Sequence, residues 1–341
     1  MWRVTGPAGV GIGWRPEIAG FVADLPGLRF VEVAAESIPS TGPLPAALAE
    51  LRGRGVTVVP HGVRLSLGGA EPVEAARVAH LARVAELTGA PLVSEHIAFV
   101  RAGGLEAGHL LPLPRSREAV AVTVANVRRA QADLPVPLAL EPIAALFDWP
   151  DDELDEADFL TEILDRTGAQ LLLDLANVYA NARNRGTDPV ALLDRLPLER
   201  VAYVHVAGGA EAGGFYHDTH TDSLPRPVLD LVVALCARRR PPALLLERDG
   251  HYPPAAELRA ELDAIATASG HPPVTPTGKE GPPVNAFGIE GNPFCLPSGG
   301  AELGHPAAGA PGHPAASTPG HPATGTPGRP ATGVPGRPVA M

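Results

Sequence analysis

The chain has 341 residues, is 45% apolar and carries a formal net charge of −11, which allows a large core and argues against a nucleic-acid binder with a basic footprint. Its two cysteines, Cys236 and Cys295, have neither a metal-ligand spacing nor an evident disulfide role. No segment approaches ~18 continuous apolar residues and no basic stretch leads into an apolar run at the N-terminus, so the expectation is a cytoplasmic protein with no membrane attachment.

Along the chain, short apolar runs alternate with helical patterns. VGIGW (10–14), RFVEVA (29–34) and VTVVPHG (56–62) read as strands, and the amphipathic stretch 71–89 follows, with Ala75, Val78, Leu81, Ala82 and Ala85 at helical spacing and Gly89 as its C-cap. PLVSEH (91–96) is the fourth strand, followed by a helix over 116–134 capped by Ser116. PLALEP (137–142) leads through the acidic run DWPDDELDEADF, a loop and a helix start, into a helix over 155–168 capped by Asp155. QLLLDLA (170–176), VAYVHVA (201–207), a helix over 225–240 and ALLLERD (243–249) complete the pattern.

Several strands are continuous apolar runs, as parallel strands covered by helices require. Eight strand–helix units in about 260 residues predict an α/β fold of the (β/α)8 TIM-barrel type. A doubly wound sheet loses ground, because no Gly-x-Gly-x-x-Gly follows an early strand. Residues 1–268 form the predicted barrel. Residues 269–341 form a low-complexity tail rich in Pro, Gly, Ala and His, with an eight-residue repeat from Gly304 (GHPAAGAP, GHPAASTP, GHPATGTP, GRPATGVP). Such a composition buries too little apolar surface to offset its ordering entropy and predicts disorder.

The chemistry lies at the strand ends. His61 ends strand three, Glu95 and His96 end strand four, and Glu141 ends strand five. Asp174 ends strand six with Asn177 three residues on, His205 lies in strand seven and Glu247 near the end of strand eight. The loop GGFYHDTHTDSLP adds His217, Asp218, His220 and Asp222. In a barrel these ends converge on one mouth, and burying carboxylates together is costly unless cations compensate them. Mixed imidazoles and carboxylates without thiolates suit Zn, Mn or Fe. So many donors exceed the needs of one ion and point to two or more metals sharing carboxylates, with redox iron and hydrolytic zinc, magnesium or manganese both open. Strand periodicity sends Glu95 and His96 to opposite sides. His96 is the better ligand candidate, and Ser94 or Glu95 would orient a ligand or, for Glu95, pair with Arg64 or Arg101.

The ordered words GVGIGWR, FVEVAAES, HGVRLSLGG, LVSEHIAF, LPLP, LALEP, DEADFLTEILDRTGAQLLLDLANVYANARNRGTDP, YVHVAGG, DTH and LLLERDGHYPP, over roughly residues 9–260, resemble the multinuclear non-haem iron-dependent oxidase family, also known as domain-of-unknown-function family 692, within the xylose-isomerase-like barrels. The resemblance implies metal ligands at His61, His96, Glu141, Asp174, His205, Asp218, His220 and Glu247, with Asn177 and Tyr179 shaping the catalytic pocket. It also implies two or three irons in mixed ferrous and ferric states, dioxygen as cosubstrate, and a ribosomally synthesised precursor peptide modified at cysteine residues. A small partner protein that presents the peptide completes the implied machinery. The chain departs from the family pattern at Glu141-Pro142, where relatives have Glu-Asn, and at Ala207-Gly208-Gly209, where they often carry His in the third position. Glu36 is the polar residue that AAES retains. The rival readings are a divalent-metal-dependent isomerase, lyase or hydrolase on the same barrel, weakened by Lys279 being the only lysine, and a non-catalytic peptide- or partner-binding module.

Overall fold

Eight strands pair in parallel, each with its neighbour in sequence, and the last closes on the first. They are β1 (Gly9–Gly13), β2 (Phe30–Ala34), β3 (Thr57–Gly62), β4 (Val93–His96), β5 (Leu138–Glu141), β6 (Gln170–Asp174), β7 (Val201–Ala207) and β8 (Ala243–Glu247). This computed structural model describes residues 6–275, so the predicted tail beyond residue 275 and its repeats lie outside the described residues. The (β/α)8 barrel expected from the alternation is the observed fold. None of the described helices is long and apolar enough to cross a membrane.

The predicted helices form with their expected caps. Ser116 Oγ accepts the Ala119 amide at the start of Arg117–Asp133, and Asp155 Oδ1 accepts the Asp158 amide at the start of Glu156–Thr167. Gly89 closes Ala75–Thr88 in the left-handed region, where a side chain would be strained. Two strands end two residues before their apolar runs do. The 170–176 run stops being a strand at Asp174, because that residue caps the helix Leu175–Arg185 directly. The 243–249 run ends as strand at Glu247. Two antiparallel hairpins in the loops after β4 and β7, Phe99–Ala102 with Leu105–Leu111 and Ala210–Ala212 with Phe215–His217, were not signalled by the alternation.

Inside the barrel, one buried apolar cluster contains Phe30, Val59, Leu92, Ala139, Leu172, Tyr203 and Leu245. Side chains on one face of a strand recur every second residue, and two residues further along stand Glu32, His61, Ser94, Glu141, Asp174, His205 and Glu247, all buried. The interior is therefore an apolar floor with a polar layer directly above it, on the side of the C-terminal strand ends. β1 contributes no bulk to the floor, because Phe30 occupies the space beside Gly11.

A methyl group on Gly11 would lie 2.5 Å from the Phe30 carbonyl oxygen and 2.6 Å from its ring. Gly11→Ala should therefore destabilise the barrel by about 1–3 kcal/mol through overpacking, lowering the thermal midpoint by roughly 3–10 °C. A midpoint equal to that of the unaltered chain would show that the floor can yield.

Candidate metal centre

The polar layer assembles donors from six barrel strands, β3 to β8, and from the loops after β7 and β8. Four groups of side chains bring ligand atoms within 4.8 Å of one another: His61, His96 and Glu141; Glu141, Asp174, His205 and Glu247; Asp174, Asp218 and His220; and His220, Glu247 and Asp249. Glu141 joins the first two groups, Asp174 the second and third, and Glu247 the second and fourth. Around Glu141, His61 Nε2 lies at 3.5 Å and His96 Nε2 at 3.3 Å from Oε2, while His205 Nδ1 lies 3.3 Å from Oε1. His205 Nδ1 is also 2.9 Å from Glu247 Oε2, and His220 Nδ1 is 3.4 Å from Glu247 Oε1.

Local structure aims these groups. Asp174 spends Oδ1 on the amides of Ala176 and Asn177, at 2.6 and 3.1 Å, so capping fixes Oδ2 without consuming it. His220 holds a left-handed backbone (φ 54°), uncommon outside glycine. Its amide donates to Gly208 O and its carbonyl accepts the Asp249 amide, which pins it at the mouth with Nε2 2.5 Å from Asp218 Oδ2. His96 offers Nδ1 to the Gly62 carbonyl at 3.3 Å.

The donor set fits metal ions on two observations. Glu141 Oε2, Asp174 Oδ2, His205 Nδ1, Asp218 Oδ1 and Glu247 Oε2 are buried without a hydrogen-bond partner, and native interiors leave few polar atoms in that state. His205 Nδ1 is close to two carboxylates yet has hydrogen-bond geometry with neither. The electrostatics agree. Burial, then the charges of Asp218 and Glu141, push the Asp174 carboxyl well above its usual range. Burial would lower the imidazole of His205, but Glu32, Glu247 and Glu141 outweigh it and raise it well above. For His96, burial is likewise outweighed by Glu141 and Glu95, giving about 9. Burial would raise Glu141, but His205 and His96 outweigh it and bring it down to about 2. Carboxylates crowd here beyond what the imidazoles neutralise, and bound cations would resolve the excess.

The sequence matches, over residues 9–269, the family described as RiPP precursor modification enzyme MbnB/TglH/ChrH. The chain belongs to this family. Among its relatives, a UPF0276 protein of Streptomyces avermitilis is 55% identical over 270 residues, covering 77% of this chain. This chain spans only 55% of that protein's length. A UPF0276 protein of Caulobacter vibrioides is 35% identical over 75% of this chain and 92% of its own, and one of Bordetella bronchiseptica is 39% identical over 76% and 92%. Among solved structures, endonuclease IV from Thermus thermophilus aligns with a TM-score of 0.53 at 21% identity, covering 76% of this chain and 99% of that one. At that identity the likeness shows the fold alone.

In this family member, every residue of the predicted ligand set lies in at least one of the four donor groups. The remaining candidate residues make other contacts. Asn177 and Tyr179 stand beside the groups: Asn177 Nδ2 donates to Pro142 O at 3.2 Å, and Tyr179 packs edge-on to Tyr216 with ring centres 5.0 Å apart. His217 Nε2 faces the Ala212 carbonyl, and Asp222 accepts hydroxyls of Thr219 and Thr221, so both serve the loop. Glu95 pairs with neither arginine side chain. Its Oε2 accepts the amides of Arg64 and Leu65, at 3.2 and 3.0 Å, and its Oε1 that of His96, while Arg101 binds Glu71 and Glu74. A side chain at Gly209 would meet His217 O at 2.3 Å, so this loop has no room for one there. Glu32 and Asp249 were missed. Glu32 was legible by counting two residues on from Phe30; nothing local marked Asp249.

With metal absent, a His96 imidazolium near 9 is stabilising below its ordinary 6.5, and that contribution is lost as pH rises through about 9. A metal ion must displace this proton, so apparent affinity should rise between pH 7 and about 9, by about tenfold per pH unit for each proton released. Titration calorimetry in buffers of different ionisation enthalpy measures the released protons. An affinity flat over this range would show that His96 binds no ion.

Proposed function

We propose that the chain is a multinuclear non-haem iron-dependent oxidase that modifies cysteine residues of a ribosomally synthesised precursor peptide, using two or three irons in mixed ferrous and ferric states and dioxygen as cosubstrate. The observation that carries this reading is the sharing of Glu141, Asp174 and Glu247 between adjacent donor groups, in a member of a peptide-modifying family. Shared carboxylates suit ions held close together, and bound iron would supply one-electron chemistry and activation of dioxygen.

The residues of the chain have three tasks in this scheme. The imidazoles and carboxylates hold the ions, and the buried floor keeps water from beneath them. A thiolate would come from the substrate, because Cys236, the one cysteine among the described residues, sits on the Arg226–Arg238 helix away from the donor groups. Around the mouth, Leu146, Phe147 and Trp149 in the loop after β5, and Phe215 in the hairpin after β7, expose apolar surface that suits a peptide or the small partner protein presenting it. Asn177 would keep the loop after β5 in place, and Tyr179, through Tyr216, the hairpin after β7.

Anaerobic purification with metal analysis and Mössbauer spectroscopy should find more than one iron per chain. Addition of oxygen and a cysteine-bearing precursor peptide, encoded beside the gene, should change the mass of that peptide. One equivalent of zinc or magnesium, with no iron-dependent mass change, would sink the oxidase reading. His96→Ala should lose at least one metal equivalent while keeping its far-ultraviolet dichroism, whereas Glu141→Ala should lose more, since its carboxylate serves two groups.

A further inference from the structure

Beneath the donor groups, a buried chain of hydrogen bonds links two of the imidazoles. His61 Nδ1 is 2.8 Å from Ser94 Oγ, and Ser94 Oγ is 2.7 Å from the Tyr203 hydroxyl. Tyr203 bonds in turn to Glu32 Oε2, and His205 Nε2 reaches the same oxygen at 3.0 Å. Ser94, Tyr203 and His205 are each 0% exposed and Glu32 is 2% exposed, so no solvent intervenes.

The direction of every proton in this chain follows from its one carboxylate. A carboxylate only accepts, so Tyr203 donates its single proton to Glu32. The 2.7 Å approach of the serine and tyrosine oxygens still requires a proton between them, and only Ser94 has one left to give. The contact of Ser94 with His61 Nδ1 then requires a proton that only the ring can supply. His61 is thereby protonated on Nδ1, and its Nε2 lone pair faces Glu141 and the mouth. From the other side, His205 donates Nε2–H to Glu32, leaving Nδ1 toward Glu141 and Glu247. The two rings present opposite nitrogens to the same cavity, and one acceptor accounts for both.

We propose that Glu32 is a positioning residue that sets the tautomers of His61 and His205 through Tyr203 and Ser94, so that each ring offers a bare nitrogen to metal. This rests on the cluster holding a metal, and on neither the identity of the metal nor the peptide chemistry. Such outer partners of metal-bound histidines commonly contribute about 10–100-fold in metal affinity.

Zinc, which is diamagnetic, is the probe, with the full-length chain labelled with nitrogen-15 at histidine and read by long-range nitrogen–proton NMR correlation. In the zinc-loaded chain, His61 should carry its proton on Nδ1 and His205 on Nε2. Tyr203→Phe, which keeps the ring packed against Phe30, should disturb the His61 Nδ1–H signal and leave that of His205 in place. Glu32→Gln should disturb both and weaken zinc binding by about 10–100-fold, with thermal melts confirming that each variant is folded. Zinc bound through His61 Nδ1, or a Tyr203→Phe spectrum unchanged at His61, overturns the relay alone. An unaltered chain that takes up no zinc overturns the metal centre and the relay together.

Discussion

Glu141, Asp174 and Glu247 are held within a few ångströms of one another by strands whose hydrogen-bonded spacing cannot relax. That enforced crowding is the constraint on which the rest of the mouth depends. An open sheet would let such carboxylates spread or turn to solvent, but a closed barrel returns each to the same interior with every second residue. Like charges in a dry interior are costly. The chain answers with His61, His96, His205 and His220 threaded between them, and the surplus of acid is what makes metal ions the natural occupants.

The support beneath this layer is as specific as the layer itself. Phe30, Val59, Leu172 and Leu245 form a packed floor, and Tyr203 crosses it, with an apolar ring in the floor and a hydroxyl among the polar groups. Loops and caps hold the upper side. Asp174 is at once the end of β6, the cap of the next helix and a donor. His220 is held in a left-handed conformation by Gly208 and Asp249, local strain of the kind that accompanies functional positions. Glu95 lies outside the four donor groups but beside His96, with Oε1 3.7 Å from its Nδ1, and its Oε2 ties down the amides that follow β3, which keeps His61 and its strand end in place.

Counting by twos along the strands recovers much of this centre without coordinates. His61, Glu141, Asp174, His205 and Glu247 each sit two residues beyond an apolar interior residue, and that period survives in the one-dimensional chain. His96 belongs to the same face as Ser94. The period also marked Glu32, yet a single acid inside FVEVA gives no sign of its partners. The loop after β7 resisted such counting. His217, Asp218, His220 and Asp222 look equivalent in GGFYHDTHTDSLP, but only Asp218 and His220 reach the donor groups, because turns and a left-handed residue have no fixed period.

The sequence by itself determined the number and order of the barrel strands, the helix caps, and the kinds of atoms gathered at the mouth, because periodicity, capping and residue chemistry are local properties. Tertiary structure alone decided which carboxylates are shared, that Glu95 faces the backbone after β3 and not a guanidinium, and that His61 and His205 are joined through Glu32. Those outcomes depend on contacts between residues far apart in the chain, from the 30 positions between Leu65 and Glu95 to the 109 between Ser94 and Tyr203. Only closure of the barrel brings such groups together.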